Sequence, residues 1–185
     1  MTDSNSNDAR EEPLAPLLND SGQPFRLLFV CTGNTCRSPM AHGLAEREAE
    51  ERGWIQLAVK SAGVATWPGA PASEGARRAT ARHGIDLGDH RSRPLTPELV
   101  EWADLILTMS PSHLVRVEAM GGAEKSEVIT RFVADGEGLP GAEDAVVEGV
   151  HDPIGGSEGE YETTCEQLRV LVHGIFRRLA PLVSP

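Results

Sequence analysis

Cys31 and Arg37 enclose five residues, Thr32-Gly33-Asn34-Thr35-Cys36, and Ser38-Pro39 follows at once. These types at this spacing suit phosphoryl chemistry. A loop this short can turn successive backbone N–H groups inward, and such a nest binds an anion. A helix opening at Ser38-Pro39 adds its positive N-terminal end at the same point. The Arg37 guanidinium is a planar fork that matches two phosphate oxygens. The same positive surroundings favour a thiolate, so the Cys31 pKa is expected to be lowered. One loop thus offers a nucleophile and an oxyanion cradle. The expected reaction is phosphoryl transfer to sulfur, then hydrolysis of the thiophosphate.

Other uses of these residues fit less well. A Gly-x4-Gly-Lys-Ser/Thr nucleotide loop is absent, and no lysine precedes Lys60. No metal is expected, because Cys31 and Cys36 are five apart and no His pair lies nearby at ligand spacing. No cofactor is implied. With Cys165 the cysteines number three, an odd count that argues against a disulfide framework.

The elements that must position the loop are legible around it. Residues 25–31 are an apolar, strand-forming run that ends on Cys31. Ser38 as N-cap and Pro39 at the first helical position open a helix to about Arg52, with Gly53 as the stop. Ile55 to Ser61 reads as a second strand, and 63–71 as a loop carrying Trp67. A helix is expected from Ala72 to His83, a short one from Thr96 to Trp102, and a third strand from Ala103 to Thr108. Ser110-Pro111 opens a further helix to Met120, Val128-Ile129 is a fourth strand, and 136–150 is a loop. From Ser157 a last helix carries Tyr161, Cys165, Leu168, Val172, Ile175 and Leu179 as a core-facing stripe. Cys165 is therefore expected to be a packed core thiol. The alternation predicts an α/β fold: a four-stranded parallel sheet flanked by helices on both faces, with the phosphate loop after the first strand. Ligands of such sheets sit beyond the carboxyl ends of the strands, where Cys31 lies.

Charge narrows the function classes. The chain carries a formal net charge of −11. It is concentrated in residues 1–24, read as a disordered acidic tail ahead of a domain over 25–185, and in residues 134–160, which hold eight acids and no Lys or Arg. Both runs are read as solvation. A nucleic-acid binder should show a basic footprint, so none is expected as partner. No apolar run reaches the ~20 residues of a membrane span, and no signal peptide is visible, so the expected location is cytoplasmic, without a membrane partner. The expected state is a monomer or weak dimer.

The full string Val-Cys-Thr-Gly-Asn-Thr-Cys-Arg-Ser-Pro-Met-Ala resembles the signature of the low-molecular-weight protein tyrosine phosphatases. The resemblance extends through Ser61-Ala62-Gly63, Trp67, His83-Gly84-Ile85, Ala103-Asp104-Leu105-Ile106-Leu107 and His151-Asp152-Pro153. It implies a phosphoprotein phosphatase with Cys31 as nucleophile, Arg37 as clamp and Asp152 as general acid and then base. It implies that Thr32, Gly33, Asn34, Thr35 and Cys36 form the phosphate loop with Ser38, that Asn34 holds its shape, and that Ser38 donates a hydrogen bond to the thiolate. Trp67 and Ile154 are expected at the substrate rim, and Cys36 as a reversible disulfide partner of oxidised Cys31. Thr35 and the Ile154-Gly155-Gly156-Ser157 continuation are similar to the branch of protein arginine phosphatases, so phosphoarginine is favoured over phosphotyrosine. The alternatives are a tyrosine phosphatase proper, an arsenate reductase of the same fold that would need Cys165 as a relay thiol, and a phosphopeptide-binding module without turnover.

Overall fold

Four parallel strands in the order β2-β1-β3-β4 form the centre of the molecule, seen in a computed structural model that describes residues 18–19, 21–54, 56–137 and 149–182. The strands are β1 (Arg26–Cys31), β2 (Ala58–Gly63), β3 (Leu105–Thr108) and β4 (Ser126–Val128). The helices are α1 (Arg37–Glu51), α2 (Glu74–Ala81), α3 (Pro97–Trp102), α4 (Pro111–Glu118), α5 (Ile129–Glu137) and α6 (Glu158–Leu179). The central β1 is buried on both faces, as its unbroken apolar run requires. Leu27, Phe29 and Cys31 belong to the larger core, with residues of α1, α2 and α6. Leu28 and Val30 belong to a second core, with Val100 of α3 and Val117 of α4. This period-two split is what a strand between two helical layers must show. The stripe on α6 is buried throughout, and Phe176 of the same helix stacks on Trp54 with ring centroids 4.9 Å apart.

Register places the chemistry. Cys31 pairs with Gly63 and Val30 with Thr108, so the ends of β2 and β3 flank the residue where the loop begins. Because β2 and β3 lie on opposite sides of β1, the chain leaves the sheet in both directions from this point, and a crevice opens there. A side chain at Gly63 would bring its Cβ to 2.6 Å from the Thr32 carbonyl oxygen. Only a residue without a Cβ lets the loop lie against the end of β2.

Several boundaries differ from the sequence reading. β2 runs from Ala58 to Gly63 rather than from Ile55, because pairing with β1 fixes its ends. Residue 55 lies outside the described set. The fourth strand covers Ser126–Val128, and Ile129 instead opens α5, a helix that the sequence reading lacks. Val128-Ile129 straddles a strand-to-helix junction without Gly or Pro, so nothing local marks the change. Ala103 caps the end of α3 instead of starting β3. Residues 18–24, apart from 20, end the stretch read as a tail. Leu18 and Pro24 form an antiparallel bridge there, and the Asn19 amide donates to the Asp104 carboxylate at 3.1 Å. Residues 1–17 and most of the expected 136–150 loop lie outside the described residues.

Candidate active site

The loop between β1 and α1 is shaped by Asn34. Its φ is 53°, the one left-handed non-glycine backbone among the described residues, a conformation that Asn tolerates better than most. Its fully buried side chain is saturated. Nδ2 donates to Ser38 Oγ and to Ser61 Oγ, each at 2.9 Å, and Oδ1 accepts from the Arg93 N–H at 2.9 Å. Its carbonyl accepts from His90 Nε2 at 2.7 Å. Burial and neighbouring positive charges push the His90 pKa down, against the effect of that bond.

Cys31 Sγ lies 2.9 Å from Ser38 Oγ and accepts from the Asn34 N–H at 3.3 Å. Ser38 was expected as the N-cap of the helix. The helix begins instead at Arg37, its N-cap position is Cys36, and no side chain caps it. The Ser38 hydroxyl is committed to the sulfur and to Asn34. The expected lowering of the Cys31 pKa meets an opposing effect. Ser38, Arg37 and the Asn34 N–H pull it down, but burial outweighs them and pushes the thiol up. Only 2% of Cys31 is exposed, and Arg37 already faces an acid.

Arg37 is 5% exposed and held from three sides. Nη1 donates to the Val150 carbonyl at 3.1 Å, and Nη2 donates to Thr32 Oγ1 at 3.3 Å and to the Asp152 carboxylate. Nε is buried with no partner among the described residues. A buried guanidinium N–H is costly to leave unpaired, so this donor suits an oxyanion in the loop. Asp152 Oδ1 accepts from the Ile154 N–H at 3.2 Å, and its side chain is 37% exposed. Cys31, Arg37 and Asp152, three residues from two distant parts of the chain, are thus linked around one loop.

The remaining candidates are placed as follows. Thr32 is exposed and Gly33 half-buried. The Thr35 carbonyl accepts from the Ser73 N–H at 2.8 Å, which fastens the loop to the N-terminus of α2. Cys36 is buried; its thiol donates to Ser73 Oγ at 3.2 Å and lies 3.6 Å from the Tyr161 hydroxyl. Trp67 is 87% exposed in the loop after β2, and that loop is tied to the site by Ala65 N–H to Thr32 O at 3.0 Å. Ile154 is 67% exposed, two residues beyond Asp152. Cys165 is fully buried in α6, and burial pushes its thiol up to about 11.

Sequence reasoning missed Ser61, Ser73, His90 and Tyr161, which buttress the loop, and His113, whose Nε2 lies 2.8 Å from Thr32 Oγ1. Ser61 could have been found from its place near the end of β2. His90 and His113 carry no spacing signal, since they reach the loop from 56 and 81 residues away.

A family model described as low molecular weight phosphotyrosine protein phosphatase matches residues 26–182. A protein-arginine-phosphatase of Bacillus subtilis (strain 168) is 37% identical over 155 residues, covering 83% of this chain and 95% of the relative. A probable low molecular weight protein-tyrosine-phosphatase, EpsP of Ralstonia solanacearum, is 41% identical over 105 residues, which cover 57% of this chain and 61% of the relative. Among solved structures, the arginine phosphatase YwlE in a Cys-to-Ser mutant with a phosphorylated active-site serine superposes with a TM-score of 0.72. It is 35% identical over 84% of this chain and 95% of its own.

Proposed function

This chain belongs to the low molecular weight phosphotyrosine protein phosphatase family, and from that premise we propose a cysteine-dependent protein phosphatase that prefers phosphoarginine to phosphotyrosine. One observation carries the reading: the Cys31 sulfur, bonded to Ser38, shares a loop with an Arg37 guanidinium that is paired with Asp152. A phosphoryl dianion seated on the loop N–H groups competes with Asp152 for Arg37. The freed Asp152, in its protonated form, faces the leaving group.

In the first step the Cys31 thiolate attacks phosphorus. The bond from phosphorus to the leaving oxygen or guanidino nitrogen breaks, and Asp152 gives its proton to that atom. In the second step the Asp152 carboxylate takes a proton from water. The water oxygen bonds to phosphorus, the S–P bond breaks, and the thiolate is restored. The Ser38 hydroxyl, 2.9 Å from the sulfur, stabilises the thiolate as it attacks and as it leaves. The related structure with phosphate on a serine in place of the cysteine supports a covalent phosphoenzyme.

Thr35 and the Ile154-Gly155-Gly156 segment favour phosphoarginine. The rim offers Trp67 and Ile154, with no aromatic ring in the residues directly after Pro153, Ile154-Gly155-Gly156-Ser157, to sandwich a phenyl group. Similarity to a protein-arginine-phosphatase over most of both chains supports the same preference. The test is kcat/KM on phosphoarginine and phosphotyrosine peptides of one sequence. A higher value for phosphoarginine is expected, and Thr35→Ile should move the ratio toward phosphotyrosine. A tenfold preference for phosphotyrosine would leave the tyrosine phosphatase reading, which the likeness to EpsP supports.

Cys36 completes the proposal as the residue that rescues an oxidised nucleophile. A Cys31 sulfenic acid condenses with the Cys36 thiol to a disulfide and water, and an external thiol restores both. After peroxide, wild type should recover with a thiol and Cys36→Ser should not. Cys165, packed and far up in pKa, is poorly suited to relay electrons, which disfavours arsenate reduction. We place the protein in the cytoplasm, where free thiols stay reduced. Its partners are phosphorylated proteins, not nucleic acid or membrane, in keeping with its net negative charge. All three reacting side chains come from one chain, so a monomer or weak dimer suffices.

A further inference from the structure

We propose that His113 of α4 is a positioning residue for the phosphate clamp: through Thr32 it fixes the Arg37 guanidinium at the angle that phosphoryl transfer needs. The inference rests on the reading of Arg37 as the clamp.

An unbroken run of hydrogen-bond contacts ties the guanidinium to α4. Arg37 can only donate, and its Nη2 donates to Thr32 Oγ1 at 3.3 Å. Thr32 has one proton to give, and the other partner of that oxygen is His113 Nε2 at 2.8 Å. Thr32 Oγ1 can give its proton to Nε2 or take one from it while still accepting from Arg37, so His113 holds that oxygen in either neutral tautomer. The other ring nitrogen, Nδ1, lies 2.9 Å from Ser110 Oγ, which can accept from it or donate to it, and Ser110 in turn lies 2.9 Å from Ser112 Oγ. The chain Arg37 to Thr32 to His113 to Ser110 is unbroken, and a neutral imidazole in it adds no second positive charge beside the guanidinium. The surroundings supply that state. His113 is 3% exposed, and burial with the charge of Arg37 pushes its pKa down to about 4, against the opposing pull of Asp152.

Rigid elements set the two ends. Ser110 stands at the N-cap of α4 but makes no side-chain cap bond. Its hydroxyl serves the imidazole instead. The neighbouring Met109 carbonyl accepts from the Val150 N–H at 2.8 Å, and the Val150 carbonyl receives Arg37 Nη1. The end of β3 thus supports the guanidinium from both sides, through Val150 at Nη1 and through His113 and Thr32 at Nη2. A flexible arginine held at two nitrogens meets the phosphoryl oxygens already oriented, the condition under which a clamp contributes most in the transition state.

The experiment is a double-mutant cycle between Thr32→Val and His113→Phe, with His113→Gln as the variant that restores a hydrogen-bonding group near Nε2. Readouts are kcat and KM on a phosphopeptide, the inhibition constant of inorganic phosphate, and the melting temperature. Each single variant should lower kcat/KM about tenfold or more, with kcat falling more than KM rises. Phosphate inhibition should weaken as well. The double variant should lose little beyond either single one, and His113→Gln should recover most of the loss. Losses that multiply, or His113→Phe within twofold of wild type, would overturn the proposal. If His113→Phe does not fold, Ser110→Ala takes its place in the cycle, with a smaller loss that must also vanish in the Thr32→Val background. Arg37→Ala separates the two levels: an active Arg37→Ala overturns the clamp reading itself, whereas an inactive one beside a neutral His113→Phe overturns the positioning role alone.

Discussion

Two sets of helix N-termini use the same residue types for different ends. Thr96 and Ser157 begin α3 and α6 with ordinary caps: Thr96 Oγ1 accepts from the Leu99 N–H, and Ser157 and Glu160 form a reciprocal capping box. Ser38 and Ser110, at the starts of α1 and α4, make no such bond. The first is bonded to the Cys31 sulfur and Asn34, the second to His113. An N-cap hydroxyl typically contributes about 1 kcal/mol, so at these two helices that stabilisation is forgone. The uncapped N–H groups at the start of α1 remain available to an anion. Ser73 does both, capping α2 through the Ala76 N–H and accepting from the Cys36 thiol. At α1 and α4 the serine hydroxyls are thus turned to the loop and its support rather than to capping, the pattern expected where function is placed ahead of local stability.

The largest effect that probes this contrast lies just beyond it, at Asp152. Asp152→Ala should lower kcat about 10²- to 10⁴-fold on phenyl-type esters and much less on esters with better leaving groups. Equal losses on both would remove Asp152 from the acid role. Ser38→Ala comes next, with kcat/KM expected to fall roughly 10- to 100-fold, somewhat less than for loss of an oxyanion-hole donor. Its melting temperature should stay near that of wild type. A stability loss without an activity loss would make Ser38 an ordinary helix residue and erase the comparison.

The imidazole gives a pH signature of intermediate size. His113 titrates at about 4 in the fold against an ordinary 6.5. Between these values the unfolded chain binds a proton that the folded site refuses, so stability falls as pH drops through this window and levels off below it. The loss is on the order of 3 kcal/mol. Denaturant melts from pH 7 to 4 should show a shallower decline in His113→Gln; identical slopes would contradict it. The smallest effect is at Thr96→Ala. About 1 kcal/mol of stability should be lost while kcat/KM is unchanged, because that cap serves only its helix.

What was legible in the sequence had local causes. The buried run of β1, the stripe on α6 and the loop spacing each write their period or composition within a few turns of chain. The helix at Ile129–Glu137 escaped because Val128-Ile129 has the composition of a strand and no stop signal separates it from β4. Asp152 is one acid among 28, chosen through the family resemblance rather than any property of its own. Asn34 was named through the family resemblance, and of the groups that brace the loop from outside, Ser61 had a cue in its place near the end of β2 while the two histidines had none. His90, in the segment between α2 and α3, and His113, in α4 after β3, meet it only through the fold, 56 and 81 residues from their partners in the loop. Two serines that look like caps make no cap bond, because neighbours in the chain compete for each hydroxyl: Cys31 and Asn34 at Ser38, His113 and Ser112 at Ser110.

The central claim is that Cys31 carries the phosphoryl group. Asp152→Ala, slowed in the hydrolysis step, can be mixed with para-nitrophenyl phosphate, quenched in acid and digested for mass spectrometry. The account predicts one added phosphoryl group on the peptide containing Cys31, present within the first turnover and absent in Cys31→Ser. Phosphate release with no phosphorylated Cys31 peptide, or release undiminished in Cys31→Ser, would contradict it.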